Sequence, residues 1–343
     1  MCFDRSVCMP RVARLDAPGV VHHVIFRGIE RKKIFRTSAD KEWFIQRLGQ
    51  FLVASNTSCY AWALMDNHAH LLLRTGDVGL ATLMRRLLTG YAGYFNRKYN
   101  RHGQLFQNRY KSIICQEDIY LKELVRYIHL NPLRAGIVRT MKQLDKYAYA
   151  GHSALIGEKA YTWQQTGYVV NMFGKKVQMA RKQYSQFIAQ GIEHGRRPEL
   201  VGGGLIRSMG GWDAVKKIRL QGQDRVKSDV RILGDSDFVE QVLSRAEETC
   251  RRGYELKRRG YDIDKIERRV AEVMGLPAEE VRKKGRDRRR VEARSLAIYW
   301  AVHELGVSGT ALAERYGLTQ PAIVFACRRG EQTAAELKCK LLD

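Results

Sequence analysis

The stretch Ala61–Arg74, A-W-A-L-M-D-N-H-A-H-L-L-L-R, constrains this chain most tightly. Two apolar runs flank the polar pair Asp66-Asn67, a pattern that predicts two strands joined by a tight turn. Side chains alternate between the two faces of a strand, so residues two apart share a face. If a strand begins at His68, the imidazoles of His68 and His70 project side by side from one surface. Such a pair is half of a metal site. Taken alone, it reads more simply as two ordinary histidines, one packed and one hydrogen-bonded. The remaining ligand and the chemistry have to come from elsewhere in the chain.

The 343 residues suffice for two or three domains, and the composition, 45% hydrophobic and 28% charged, is that of a globular protein. No apolar run approaches the roughly 20 residues that span a bilayer. The N-terminal M-C-F-D-R-S-V-C-M-P-R lacks the apolar core of a signal peptide, so a cytoplasmic, nucleoid-associated protein is expected. The seven cysteines are scattered with no C-x-x-C pair, which fits reduced thiols and neither a disulfide framework nor a zinc knuckle. The net charge of +24, spread along the whole length, predicts a polyanionic partner. No lipidation signal or basic amphipathic anchor points to a membrane surface, so nucleic acid is favoured over lipid.

Taken in order, V-V-H-H-V-I-F-R (20–27) reads as a strand closed by Gly28. Residues 40–54 read as a helix, 59–65 and 68–73 as strands, 80–99 as a long helix, 105–114 as extended, and 118–130 as a further helix ended by Asn131-Pro132. Strand–helix–strand–strand–helix–strand is the ferredoxin-like, split βαβ order. The expected fold class is therefore α+β, an antiparallel sheet with helices on one face. A C-terminal all-α unit follows.

In Y-L-K-E-L-V-R-Y-I-H-L-N-P, Tyr127 and Asn131 lie four residues apart, so on a helix they stack on one face. A helix beside the central hairpin would offer a phenol and an amide oxygen to the two imidazoles. Alternatively Tyr127 is an amphipathic core residue and Asn131 a cap before proline. The combination of P-R-x-x-R-L, M-D-N-H-A-H-L-L, G-Q-L-F-Q-N-R-Y and Y-I-H-L-N-P-L-R-A-G over about residues 10–150 resembles the HUH single-tyrosine transposases. More narrowly, it is similar to the REP-associated tyrosine transposases of the IS200-like superfamily. The resemblance implies His68 and His70 as metal ligands, Tyr127 as nucleophile and Asn131 as the polar group completing the metal site. It implies Mg2+ or Mn2+, a 5′-phosphotyrosine intermediate, and single-stranded DNA held in a hairpin. Ala69 is smaller than the bulky apolar residue that HUH sequences carry between the histidines. Monomer and homodimer are both compatible with it.

The chemistry fits these groups. A cation bound by two imidazoles and an amide oxygen has few acidic ligands, which suits a site that must accept a phosphate, and polarises that phosphate as a Lewis acid. Imidazole favours manganese by affinity, whereas abundance favours magnesium. A phosphotyrosine retains the bond for rejoining. Arg109 and Lys111 share a face on a strand and are assigned to backbone phosphates, with Tyr110 turned to the core. Arg85, Arg86, Arg97 and Lys98 extend a basic track or are simply solvated.

Residues 1–150 thus read as a catalytic domain, 151–230 as a basic, glycine-containing connecting region, and 231–343 as a helical DNA-binding domain. Residues 161–189 look helical. Gly202-Gly203-Gly204 lacks the G-K-[ST] of a P-loop, which leaves a phosphate-contacting loop or a plain connector. The basic run from Arg282 through Lys283 and Lys284 to Arg290 suits phosphate contact or a solvated linker. Beyond it, a helix before Gly309, a short helix over 310–316, a turn at Gly317-Leu318 and a helix capped by Thr319 have helix-turn-helix spacing. This is similar to the C-terminal domain of the bacterial replication initiator, with A-I-Y-W-A on its first helix, but L-T-Q-P-A stands where the initiator has D-H-T-T-V. Its sequence specificity is therefore not transferred. Gln320 is placed to read a base edge of duplex DNA, with Arg328 and Arg329 on its backbone.

Overall fold

The computed structural model describes residue 15 and residues 19–76, 78–193, 195, 197–202, 228–283, 285 and 287–341. Its centre is a sheet formed by β1 (Val21–Arg27), β2 (Ser58–Leu64), β3 (His68–Arg74), β4 (Lys111–Cys115) and β5 (Ile232–Leu233), in the order β2-β3-β1-β4-β5. The first four strands pair antiparallel in the ferredoxin-like order. The fifth joins parallel to β4, so the sheet is mixed and not wholly antiparallel as expected.

The helices depart from expectation too, because they cover both faces. On one face α1 (Ser38–Ala54) and α2 (Leu80–Lys98) bury Phe44, Leu48, Leu52, Leu87, Tyr91 and Phe95 against Val24, Phe26, Trp62, Leu71 and Leu73. On the other, α3 (Glu117–His129) buries Leu121, Leu124, Val125 and Ile128 against Val21, Ile25, Ala61, Ala63 and Leu72. The strands between them are buried on both sides over most of their length, which is why the sequence lacks the clean apolar–polar alternation of a half-exposed strand. A bulge at Tyr60, between Cys59 and Ala61, adjusts the β2–β3 register.

The end of α3 is sharper than a simple stop. Asn131-Pro132 opens a four-residue helix, α4 (Asn131–Arg134), where proline in the first turn lacks only an N–H that has no helical partner. Residues 161–189, expected as one helix, form α7 (Thr166–Asn171) and α8 (Val177–Gln190), interrupted at Gly174, whose φ of +153° does not fit a helix. Residues 105–114 are extended only from Lys111; Leu105 and Phe106 instead tuck under β1, with Phe106 bridging Gly28.

The apolar layer on α3 runs on through α5 (Met141–Asp145), α6 (His152–Ile156), α7 and α8 to Leu200. A buried polar chain reinforces it. The Tyr184 hydroxyl lies 2.8 Å from Nδ1 of both His129 and His152, and His152 Nε2 donates to Asp145 at 2.9 Å. Burial holds both the His129 imidazole and the Tyr184 phenol neutral, driving the first well below and the second well above its ordinary pKa. This chain fastens α3, and with it Tyr127, to α6 and α8.

A second core gathers α10 (Ile263–Met274), α11 (Ala278–Arg282), α12 (Arg288–His303), α13 (Gly309–Tyr316) and α14 (Gln320–Glu336). Helix α9 (Ser236–Arg258) contributes Val239 and Val242 to an apolar patch on the sheet with Ile114 and Ile232, and Leu256 to the C-terminal core. The α13–α14 turn uses Gly317 at φ +59°, a left-handed conformation that glycine adopts without strain. Thr319 caps α14 by accepting from the Ala322 amide. Helices α12 and α14 approach closely at Gly330, where an added Cβ would lie 2.0 Å from the Ser295 carbonyl oxygen. Gly330→Ala should therefore force them apart and cost about 2 kcal/mol. A lowered thermal midpoint checks this; an unchanged midpoint would contradict the contact.

Candidate active site

The β1–β3 register builds the site. Arg27 pairs with His68, Ile25 with His70 and His23 with Leu72, so Arg27, His23, His68 and His70 all project from the face that α3 covers. Ala63 opposes His70 from β2, and its small side chain leaves room on that face. Arg74, at the far end of β3, pairs with Glu117 in the first turn of α3 and ties the helix to the strand.

Helix α3 then delivers Tyr127. Its ring lies edge-on to His70 at 5.8 Å between centroids and to His23 at 6.0 Å. His68 and His70 are 5.3 Å apart, also edge to face. The structure thus brings together His68, His70 and Tyr127. Asn131 stands one turn beyond Tyr127 and is buried; its Nδ2 donates to the carbonyls of Tyr127, at 3.0 Å, and Ile128, at 3.4 Å, which leaves Oδ1 as its remaining polar atom.

Both histidines of the pair are held from behind. Asn67 donates its amide to the Arg31 carbonyl at 3.1 Å, so its Oδ1, 2.6 Å from His68 Nδ1, accepts the His68 proton. His70 Nδ1 lies 2.9 Å from His23 Nε2, and His23 Nδ1 lies 3.0 Å from the Leu200 carbonyl. Burial pushes His23 and His68 down to about 4 and His70 well below the ordinary histidine value, with Lys111 adding to the effect on His23 and Arg27 to that on His68. Neutral imidazoles present lone pairs, which is what a metal requires. Among the described residues, no group of three or more His, Cys, Asp or Glu could hold a metal ion, so a third donor beside the two imidazoles would have to be of another kind, such as an amide oxygen.

Sequence reading passed over three residues here. His23 was one of a doublet on β1, and only the pairing of β1 with β3 turns it toward His70. Arg134, in the N-P-L-R-A-G motif, places its guanidinium 5.2 Å from the centre of the Tyr127 ring. Arg27 is exposed directly across from His68. Arg27 is the last residue of the strand read over 20–27, and its register against His68 is a tertiary fact.

Residues 18–131 match the family model described as Transposase IS200 like. That span begins just before β1 and ends at Asn131, so it holds all the residues of the imidazole–phenol cluster. A solved structure titled "Structure of the REP associates tyrosine transposase bound to a REP hairpin" is similar over 46% of this chain and 98% of its own, at 14% identity and a TM-score of 0.36. No curated protein matches the chain.

Away from the imidazole–phenol cluster, the basic residues are distributed as follows. Lys111 is exposed on β4 and donates to the Val201 carbonyl at 2.5 Å; Arg109 is exposed in the bend before that strand, and Tyr110 between them is buried. Arg109 lines a cleft of about 1160 Å³ with Arg85, Arg86 and, from the C-terminal unit, Thr310 and Gln320. Gln320 donates to Thr310 at 2.7 Å. Arg328 reaches the Val53 carbonyl at 3.4 Å, and Arg329 is exposed. Lys98 is paired with the buried Asp40 at 2.6 Å and so anchors α2 to α1. Arg282 pairs with Asp264 and Glu267, alongside Arg315, and Lys283 pairs with Glu280. Lys284 lies outside the described residues, as do Gly203 and Gly204. No helix among the described residues is long and apolar enough to cross a membrane.

Proposed function

We propose that this chain is a single-tyrosine HUH transposase that cleaves and rejoins single-stranded DNA at hairpin-type, REP-like sequences. The observation that carries the reading is the Tyr127 ring, edge-on to His70 on the one sheet face that also presents His68. The transposase family match over residues 18–131 supports the same class of reaction. The catalytic unit takes in the sheet and the helices that share its core, out to Leu200 and β5.

In this reading the Tyr127 phenol loses its proton and its oxygen attacks the scissile phosphorus. The new bond is the phosphotyrosyl ester to the 5′ side; the bond to the 3′ oxygen breaks, and that oxygen leaves as a 3′ hydroxyl after taking up a proton. The Arg134 guanidinium beside the ring stabilises the phenolate by charge, and Arg27 beside His68 faces the incoming phosphate. His68 and His70 through Nε2, with Asn131 through Oδ1, would hold Mg2+ or Mn2+, which supplies Lewis-acid polarisation of the phosphate when bound. Rejoining reverses the attack, with a 3′ hydroxyl as nucleophile.

The C-terminal helices α12, α13 and α14 are proposed to bind duplex DNA as a helix-turn-helix, resembling the replication initiator's module, with Gln320 toward base edges and Arg328 and Arg329 on the backbone. Arg109, Lys111, Arg282, Lys283 and Lys284 extend the phosphate-binding surface. Arg282 and Lys283 are already ion-paired to carboxylates, so their share is the smaller one.

Labelled hairpin DNA incubated with protein and Mn2+, then run on a denaturing gel, tests the catalytic reading. A covalent adduct is expected with the wild type, none with Tyr127→Phe, and none after EDTA treatment. An adduct that survives in Tyr127→Phe contradicts the assignment; cleavage without any adduct shows hydrolysis, and no cleavage at all marks a silent DNA-binding protein. Arg134→Met should slow adduct formation about tenfold at unchanged hairpin affinity, the size expected for one half-buried cation beside an aromatic ring; an unchanged rate removes Arg134 from the scheme. For the C-terminal unit, Arg329→Ala should weaken duplex binding and lower the slope of log affinity against log salt by about 1. An unchanged slope places that side chain off the DNA.

A further inference from the structure

We infer that His23 is a positioning residue for His70, and that the backbone carbonyl of Leu200 fixes the proton arrangement of both rings. The inference rests on the reading of His70 as a metal ligand, but its first step concerns the protein alone. A carbonyl oxygen only accepts hydrogen bonds. His23 Nδ1, 3.0 Å from the Leu200 oxygen, therefore carries a hydrogen. His23 is wholly buried and a neutral imidazole has one ring proton, so its Nε2 is a lone pair. The atom 2.9 Å from that lone pair, His70 Nδ1, must then be the donor. This leaves His70 Nε2 bare. A ligating histidine needs its second nitrogen held in this way, because the partner fixes tautomer and ring angle and raises the basicity of the ligating atom.

The relay begins outside the span that matches the transposase family. Leu200 belongs to the short 3-10 turn Pro198–Val201, is 2% exposed, and packs in the same core as α3. Lys111 grips the next carbonyl, Val201, at 2.5 Å. The turn is thus fastened by an apolar side chain and by a cation on β4, the strand beside β1. His68 has the parallel arrangement within its own hairpin, through Asn67. The two ligand histidines are oriented by different means, one local in sequence and one reaching 177 residues from His23 to Leu200.

The side-chain pattern agrees with this assignment. His23 faces Tyr127 edge-on, so the ring that orients His70 also packs against the nucleophile. Replacing it disturbs the orientation of one ligand without removing either ligand or the phenol.

The test uses the full chain with no metal added, with long-range proton–nitrogen NMR correlation of the imidazoles. In the wild type His23 and His70 should both carry hydrogen on Nδ1. The opposite tautomer on His70, hydrogen on Nε2, overturns the proposal without any variant being made. His23→Phe keeps the ring and removes the acceptor, whereas His23→Gln retains an amide oxygen that accepts from His70. For His23→Phe the His70 signals should shift toward the Nε2–H form and Mn2+ affinity, measured by calorimetry, should fall about 10- to 100-fold. His23→Gln should restore most of both. Unchanged affinity in a folded His23→Phe, or equal losses in both variants, defeats the positioning role. A wild type that shows the stated tautomers but binds no Mn2+ defeats the metal-site reading and leaves the relay standing.

Discussion

The register of β1 against β3 is the constraint on which this site depends. It sets Arg27 opposite His68 and Ile25 opposite His70, and leaves His23 diagonal to His70 at hydrogen-bond distance. Slipping β3 by one residue against β1 would turn His68 and His70 to the other face, where α1 and α2 pack. Such a slip would bury polar imidazoles among Phe44, Leu48 and Tyr91 and turn Leu71 and Leu73 toward α3. Burial on both faces therefore enforces the register, and the register places the chemistry.

Helix α3 is the second half of that arrangement, and more holds it than its apolar stripe. Arg74 fastens its first turn to β3, Tyr184 bridges from α8 to His129 near its last turn, and Arg126 stacks its guanidinium 4.1 Å from the Phe187 ring. In the proposed reaction Tyr127 would meet a phosphorus in line and so need a rigid support, since small misplacements cost large factors in rate. The contacts to α8 make residues well beyond the family match part of that support. The same holds for Leu200, whose carbonyl reaches His23.

Much of the site was legible in the chain because its signals are local. His68 and His70 share a face by strand alternation, Tyr127 and Asn131 by helical spacing, and the M-D-N turn delivers the hairpin. What escaped was tertiary. The H-H doublet of β1 says nothing about which of its members faces β3's histidines until the strands are paired. Nothing near Leu200 marks its carbonyl as a partner for a ring on β1. The second covering of the sheet was hidden because strands buried on both faces read as plain apolar runs. Gly174 sits inside a long helical pattern, yet with a φ of +153° it lies in the break between α7 and α8. Charge misleads in a different way: Arg282 and Lys98 look available in sequence, yet each is held by carboxylates.

Peptide mapping of the trapped protein–DNA adduct tests the central claim most directly. After reaction with hairpin DNA, digestion with nuclease and trypsin should yield the peptide Tyr127–Arg134 carrying a 5′-linked nucleotide on Tyr127, and the released strand should end in a 3′ hydroxyl. A nucleotide mapped to Tyr110, Tyr91, Tyr94 or Tyr99, or a released strand ending in a 3′ phosphate, would contradict the account.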